Sequence, residues 1–578
     1  MTDDIKKRGQ KFLSKFFKLS LKTGEESKEH IKKNVLDRVS HIQDIKLLVL
    51  EWSLLVLALV MVAATQAFWY GNTYANDVFV GGGSFTEATI GRVNSMNPLF
   101  ATTNTEKVLS KLMFATLVSV DYSGHPGLGL ARSIRTEEDG KVWKIKLRDG
   151  LKWSDGELIT NDDVLFTIEL IQNPVVNSIY DSNLGNVKVS ENELGEIVFN
   201  LPAAYADFAT ALQIPILPKH ELEDASPKTL IEDDFSNAPV TSGAFAFNAL
   251  QSSTTSEEDV IYLTANPNYY MGAPLLNNFV VHAYGNKDEV ANALNAGLAT
   301  ATAELAGSET DKVTSKAFLY KDSSIDIGAF IFFNTAGADL RNLSLRSAIR
   351  QGLNIAEIRE AAPNTVALDY PLLESQIKLS SYPEIPGYDF EVAKTKISEI
   401  AGEGKIHLNI ATVKSGFLPD VSEVVKNQLE ALGIEVELTV YEENRDFIVN
   451  VISRRNYDVL VYKVELGSDP DPLPYYHSSQ ISTSGLNLSS YLNSMVDDLL
   501  VGARETLDSA LRIKKYESFL NYWVSEVPAI GLYQANLTYF YNKNVRVYGN
   551  GVRLVTPMDR FSDVLNFASV KASRNKTP

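Results

Sequence analysis

The sequence predicts an α/β protein with a parallel sheet, carried on one N-terminal membrane-spanning helix. Three observations carry this. Residues 405–470 alternate strand, helix, strand, helix and strand patterns. Residues 52–70 form an uncharged apolar run between a basic leader and a long polar body. The chain has 578 residues and is 45% apolar, which supplies full cores for more than one domain.

From the N-terminus, basic residues recur from Lys6 to Lys46, and the first after Tyr70 is Arg92. Phe12, Leu13, Phe16, Phe17 and Leu21 fall at helical spacing among lysines, which suits a helix lying on an anionic inner leaflet. Ile31, Val35, Val39 and Ile42 repeat the pattern. The run Trp52–Tyr70 is long enough, at roughly 28 Å, to cross one hydrocarbon core. Aromatic residues stand at both ends, where rings prefer the interface. The excess of Lys and Arg before the run places Met1 in the cytoplasm and the body outside. Thr65-Gln-Ala67 leaves cleavage near Ala67 as the competing outcome.

The body is acidic, since the chain carries −18 overall although its leader is basic. That balance argues against nucleic-acid binding. There is no cysteine, hence no disulfide, thiol chemistry or lipid-modified cysteine. Residues 71–77 read as a linker and Lys571–Pro578 as a frayed end. Gly81-Gly-Gly83 lacks the spacing of a dinucleotide loop. Asn94-Ser-Met-Asn-Pro98 reads as a turn and Glu106–Leu117 as a helix. Val142–Leu147 alternates as a half-buried strand, and Thr160 with Asp163 forms a capping box before a helix that Pro174 stops. Residues 120–235 therefore read as an α+β insert.

In the region 405–470, Ile406–Thr412, Ile434–Tyr441 and Tyr457–Tyr462 read as strands. Leu418–Leu432 and Glu443–Arg455 read as the helices between them. Such a unit is parallel with right-handed crossovers, and ligands bind beyond the carboxyl ends of its strands. Gly467-Ser-Asp-Pro-Asp-Pro472 follows the third strand and nominates Asp469 and Asp471. No nucleophile elbow, HExxH or Walker A sequence is present, and the histidines are scattered. Neither catalysis, a cofactor nor a resident metal is expected.

Several segments together resemble the extracellular solute-binding proteins of family 5, the dipeptide/oligopeptide-binding group of ABC importers. They are Gly127–Arg132, Trp143–Gly156, Thr160–Val164, Val240–Phe245, Asn266–Tyr270, Phe333–Thr335, Leu345–Ile349 and Tyr457–Ser479. The resemblance implies a two-lobed periplasmic-binding-protein-like clamp of type II with an extra α+β domain. Lobe 1 would comprise 78–119, 236–325 and 536–578, the extra domain 120–235, and lobe 2 residues 326–535, behind the leader 1–51 and anchor 52–70. It implies a monomeric extracytoplasmic subunit that captures peptides and delivers them to ABC permease subunits; the helix anchor comes from the run at 52–70 and departs from the lipidated cysteine that holds most members in single-membrane bacteria. An oligosaccharide or nickel chelate as ligand, or a sensor signalling through the leader, are the alternatives. Asp469 or Asp471 would pair with a ligand ammonium. Asn94, Asn97, Ser242, Gly243, Phe245, Tyr475 and Tyr476 would line the cleft. Val464 stands where many members carry tryptophan, and Ser242 and Ala244 depart from the usual G-T-G-P-Y form.

Overall fold

The computed structural model describes residues 46–575 apart from Tyr122, 254–257 and 443–444. The expected leader helices lie outside the described residues. The chain divides into two compact units, residues 1–78 with 572–578, and residues 79–571.

In the first unit, helix α1 (Lys46–Tyr74) is continuous over 29 residues. Side chains are described for residues 50–66 of it, and all are exposed. Among the described residues no helix is long and apolar enough to cross a membrane. Strand β1 (Ala75–Val80) follows directly where a linker was expected. It pairs with the last strand, β19 (Val570–Asn575), so residues 571–575 of the tail expected to be frayed lie in a strand, and 576–578 lie outside the described residues. Each strand satisfies backbone groups of the other, a pairing between distant segments that local pattern does not reveal.

The second unit is built on an 11-stranded sheet. Its first part holds β2 (Ser84–Ile90), which follows the glycine run, and helix α2 (Asn104–Met113). The backbone N–H of Glu106 donates to Thr103, and Glu106 accepts from the backbone N–H of Thr103, so the helix starts two residues earlier than its apolar spacing suggests. Next come β3 (Val118–Val120) and β4 (Pro126–Leu128), a separate hairpin pair. Strands β5 (Ala131–Glu137), β6 (Val142–Leu147), β7 (Lys188–Glu191) and β8 (Ile197–Asn200) form an antiparallel sheet in the order β5-β6-β8-β7. Helix α3 (Asn161–Gln172) belongs to it, and Asp163 accepts from the Thr160 backbone at 2.8 Å as the capping box requires.

The large sheet continues with β9 (Phe245–Ser252), β10 (Asp259–Ala265), β11 (Asn278–Tyr284) and β12 (Ala301–Thr302). Then come β13 (Phe318–Phe333), α4 (Leu343–Gly352), α5 (Ile355–Glu360), β14 (Val366–Ala367), β15 (His407–Val413), α6 (Leu418–Ala431), β16 (Glu435–Tyr441) and β17 (Val459–Glu465). Helices α7 (Ser494–Glu505) and α8 (Ser509–Glu526) precede β18 (Ala529–Asn542). The order is β16-β15-β17-β13-β18-β12-β2-β11-β10-β9, with β14 on β18. Strand β15 lies parallel to both β16 and β17, as the pattern at 405–470 requires. The helix expected at 443–455 is described as a short α turn, Arg445–Phe447, passing into a π turn at Ile448–Ile452.

Only β13 and β18 run through both halves of this sheet among the described strands. Their register breaks between the pairs Ser324↔Asn536 and Gly328↔Gln534. In the break, Asp326 donates its N–H to Val555 at 2.8 Å and accepts from Leu466 at 2.7 Å. Gly328 is needed there, because a Cβ would sit 2.6 Å from side-chain atoms of Leu368 and Phe330. One core, with Phe85, Phe279, Phe561 and Phe567, lies on the β2 side. Another, with Phe330, Phe332, Tyr476, Phe519 and Trp523, lies on the β17 side.

Candidate functional site

A cavity of about 800 Å³ opens against α2, β3, β4, Tyr269–Met271 and the segment Val555–Leu565. Glu465, the last residue of β17, is the lining residue from the other half of the sheet. Its position follows from strand periodicity. Val464 and Leu466 are buried, and Glu465 between them is exposed. The strand end is pinned by the Leu466–Asp326 hydrogen bond, and the Tyr475 hydroxyl donates to the Glu465 carbonyl.

The lining carries both signs of charge. On α2, Val108, Leu109, Leu112 and Met113 are buried, and Lys107 and Lys111 stand one turn apart on the cavity side. Lys111 pairs with Asp559 at 3.2 Å, and Asp559 is held by the Thr556 N–H at 2.8 Å. Arg148 donates to the carbonyls of Gly129 at 2.8 Å and Leu128 at 3.1 Å, and lies 5.3 Å from the Tyr270 ring centroid. Asp121 accepts from the backbone of Ser123 and His125 within its own turn. Burial pushes the Tyr180 hydroxyl up to about 12, so it stays a neutral donor. Among the described residues, Glu465 and Lys107 are the lining carboxylate and ammonium whose side chains have no protein partner. One cavity thus offers a carboxylate to a cation and an ammonium to an anion.

The two aspartates expected to receive an ammonium are engaged elsewhere. Asp469 accepts from the Tyr205 hydroxyl and from Arg512, each at 2.8 Å. Arg512 also pairs with Asp207. Asp471 accepts from Arg504 Nε at 2.8 Å. The Ala206 N–H donates to the Arg504 carbonyl at 2.8 Å, and the Arg504 guanidinium lies 5.2 Å from the Tyr205 ring centroid. Burial and then the neighbouring Asp207 push the Asp469 carboxyl well above the usual range. The group ties the segment 205–207, after β8, to the segments 469–471 and 504–512, and neither aspartate lines the cavity.

The other expected cleft residues make the following contacts within the protein. Asn94 donates its N–H and side-chain amide to Glu106. Asn97 is buried and caps the turn at Leu99. Ser242 accepts from the Ala115 N–H at 3.0 Å, and Gly243 packs so closely that a Cβ would meet Leu112 O at 2.5 Å. Phe245 is buried against Phe279, and Tyr476 against Phe519 and Trp523. Tyr475 braces β17. Ala244, between two of these, does line the cavity. Lys107, Arg148, Tyr180 and Glu465 were not anticipated. The signal for Glu465 was present in the alternation of Val464-Glu-Leu466. Elsewhere, Asp155, His220 and Glu221 bring ligand atoms within 4.8 Å of one another in an exposed cluster.

Residues 125–487 match the family model for bacterial extracellular solute-binding proteins, family 5. The chain belongs to this family. It is 26% identical over 483 residues to the oligopeptide-binding protein AppA of Bacillus subtilis, covering 79% of this chain and 87% of that protein. The solved structure of that AppA in complex with a nonapeptide superposes with a TM-score of 0.70 at 22% identity, covering 85% of this chain and 99% of the other. NikZ of Campylobacter jejuni in complex with Ni(L-His) gives 0.71 at 21%, covering 84% and 99%. Proteins solved with a nonapeptide and with a nickel chelate thus share this α/β fold, so the fold alone does not fix the ligand.

Proposed function

We propose that the protein is a membrane-anchored, extracytoplasmic solute-binding subunit of an ABC importer, and that it captures peptides and hands them to a permease. The observation that carries the ligand assignment is the charge arrangement of the cavity. A free peptide is a zwitterion, and among the described residues Glu465 offers a carboxylate without a protein partner, while Lys107, with Arg148 bonded only to carbonyls, offers positive charge. A buried ammonium or carboxylate without a partner is costly, so such pairs decide what is accepted. The rest of the chain of a peptide is met by hydrogen bonds that depend little on its side chains. AppA of Bacillus subtilis, an oligopeptide-binding protein, is one relative in keeping with this.

In this reading lobe 1 is 78–119 with 236–325 and 536–578, the extra domain is 120–235, and lobe 2 is 326–535. The interrupted pairing of β13 with β18 is the hinge, and the cluster of Asp207, Asp469 and Arg512 holds the closed state. Capture shifts a population of open and closed forms by the ligand's differential affinity for them. Binding, not catalysis, is the activity. The apolar side chains exposed along residues 50–66 of α1 support an anchor, since such a surface is covered by lipid or protein. The protein acts as a monomer.

Titration calorimetry on the purified full chain in detergent tests the ligand. A mixture of short free peptides is expected to bind saturably, and the same mixture N-acetylated is expected to bind at least tenfold more weakly. Saturable binding of a maltooligosaccharide or of nickel–histidine, with none of peptide, would overturn the assignment.

A further inference from the structure

A second hollow of about 330 Å³ lies apart from the large cavity, with no lining residue in common. It is bounded by the end of α4, the start of α5, the segment Ile385–Tyr388, Trp523 of α8, and the first residues of β18. Leu353, Ile355, Ile385 and Ile530 give it an apolar side, and Arg350, Asn354, Arg359 and Asp369 a polar one.

Two arginines line it, and they differ. Arg359 is matched, with Nη2 at 2.6 Å from Asp369 and Nε at 2.5 Å from the Leu532 carbonyl. Arg350 donates Nη1 to the Val524 carbonyl, and its Nε is buried without a partner. No carboxylate among the described residues pairs with it. Arg346, one turn earlier on α4, binds the carbonyls of Glu526 and Val527 in a similar manner. Burial lowers both guanidinium groups from their usual value. For Arg346 the Glu526 carboxylate acts against that effect, and for Arg350 no neighbouring acid does. Bracing the end of α8 uses one N–H of Arg350 and leaves its charge without a carboxylate among the described residues. A guanidinium held in apolar surroundings needs an anion.

We propose that this hollow is a second ligand site, taking a small monocarboxylate with an apolar body whose carboxylate sits on Arg350. One unmatched positive charge selects a monoanion. An N–H of the guanidinium on the hollow side can donate to a carboxylate oxygen. The apolar side favours a hydrocarbon body, and the volume is at the small end of ligand pockets.

The test titrates the full chain with hexanoate and with hexanamide, its neutral counterpart of similar size, with and without saturating peptide. Hexanoate is expected to bind saturably, at least tenfold tighter than hexanamide, and not to be displaced by peptide. Arg350→Gln should abolish that preference and Arg350→Lys should retain part of it. Absent hexanoate binding, equal binding of the amide, displacement by peptide, or an unchanged preference in Arg350→Gln would overturn the proposal. Should Arg350→Gln fail to fold, the acid–amide comparison and the peptide competition on the native chain decide it.

Discussion

At the scale of single residues, two carboxylates show how surroundings assign roles. Glu465 is exposed in the cavity and unpaired among the described residues. Glu87 is fully buried and accepts from Arg560 Nε at 3.0 Å and the Tyr539 hydroxyl at 2.7 Å. Glu465→Gln is expected to weaken binding of free peptides about tenfold to a hundredfold, the size of a lost charge-assisted hydrogen bond, and to leave unfolding unchanged. Calorimetry and a urea titration check the two halves. Arg560→Met is expected to destabilise the fold by about 3–5 kcal/mol, because it strands a buried carboxyl. Adding Glu87→Gln should recover part of that loss in the same urea titration. Asp326 gives a pH dependence. Burial pushes its carboxyl up to about 6 against the attraction of Arg553. With an unfolded value of about 3.9, its stabilising contribution is complete below that value and is lost as pH rises through about 6. Asp326→Asn mimics the protonated form, so the wild type should lose stability relative to it across that interval, measured as urea midpoints.

Among elements, the ionic cluster joining 205–207 to 469–471 and 504–512 holds two parts of the second unit in contact. Removing Arg512 leaves Asp469 buried beside Asp207 without its counter-charge. Arg512→Met is therefore expected to favour the open form, seen as a larger radius of gyration in solution scattering without ligand and as weaker peptide binding. A radius unchanged from wild type would remove the cluster from the closing mechanism. The elements themselves were largely legible. Alternation at 406–412 and 434–441, the apolar run at 457–462 and the amphipathic pattern of α6 are local, so they predict the parallel unit that β15, β16 and β17 form. The capping residues Thr160 and Asp163 were legible for the same reason. The pairing of β1 with β19 depends on residues about 500 positions apart, and nothing local announces it. The site was less legible than the fold. Asp469 and Asp471 follow the third strand as expected, but the arginines that occupy them come from α7 and α8, more than 30 residues further on. The apolar run that marks the third strand stops at Tyr462, whereas β17 continues three residues further to Glu465.

For the whole molecule, a sheet shared through β13 and β18 carries a cavity whose unpartnered carboxylate and cationic groups are proposed to select free peptides. Ligand captured in the cell decides this most directly. The full chain, purified in detergent without denaturation, is acidified, and the released small molecules are identified by mass spectrometry. The account predicts peptides of mixed sequence with free N-termini, and their depletion from Glu465→Gln protein purified in parallel. Release of an oligosaccharide or a nickel chelate, with no peptide, would contradict it.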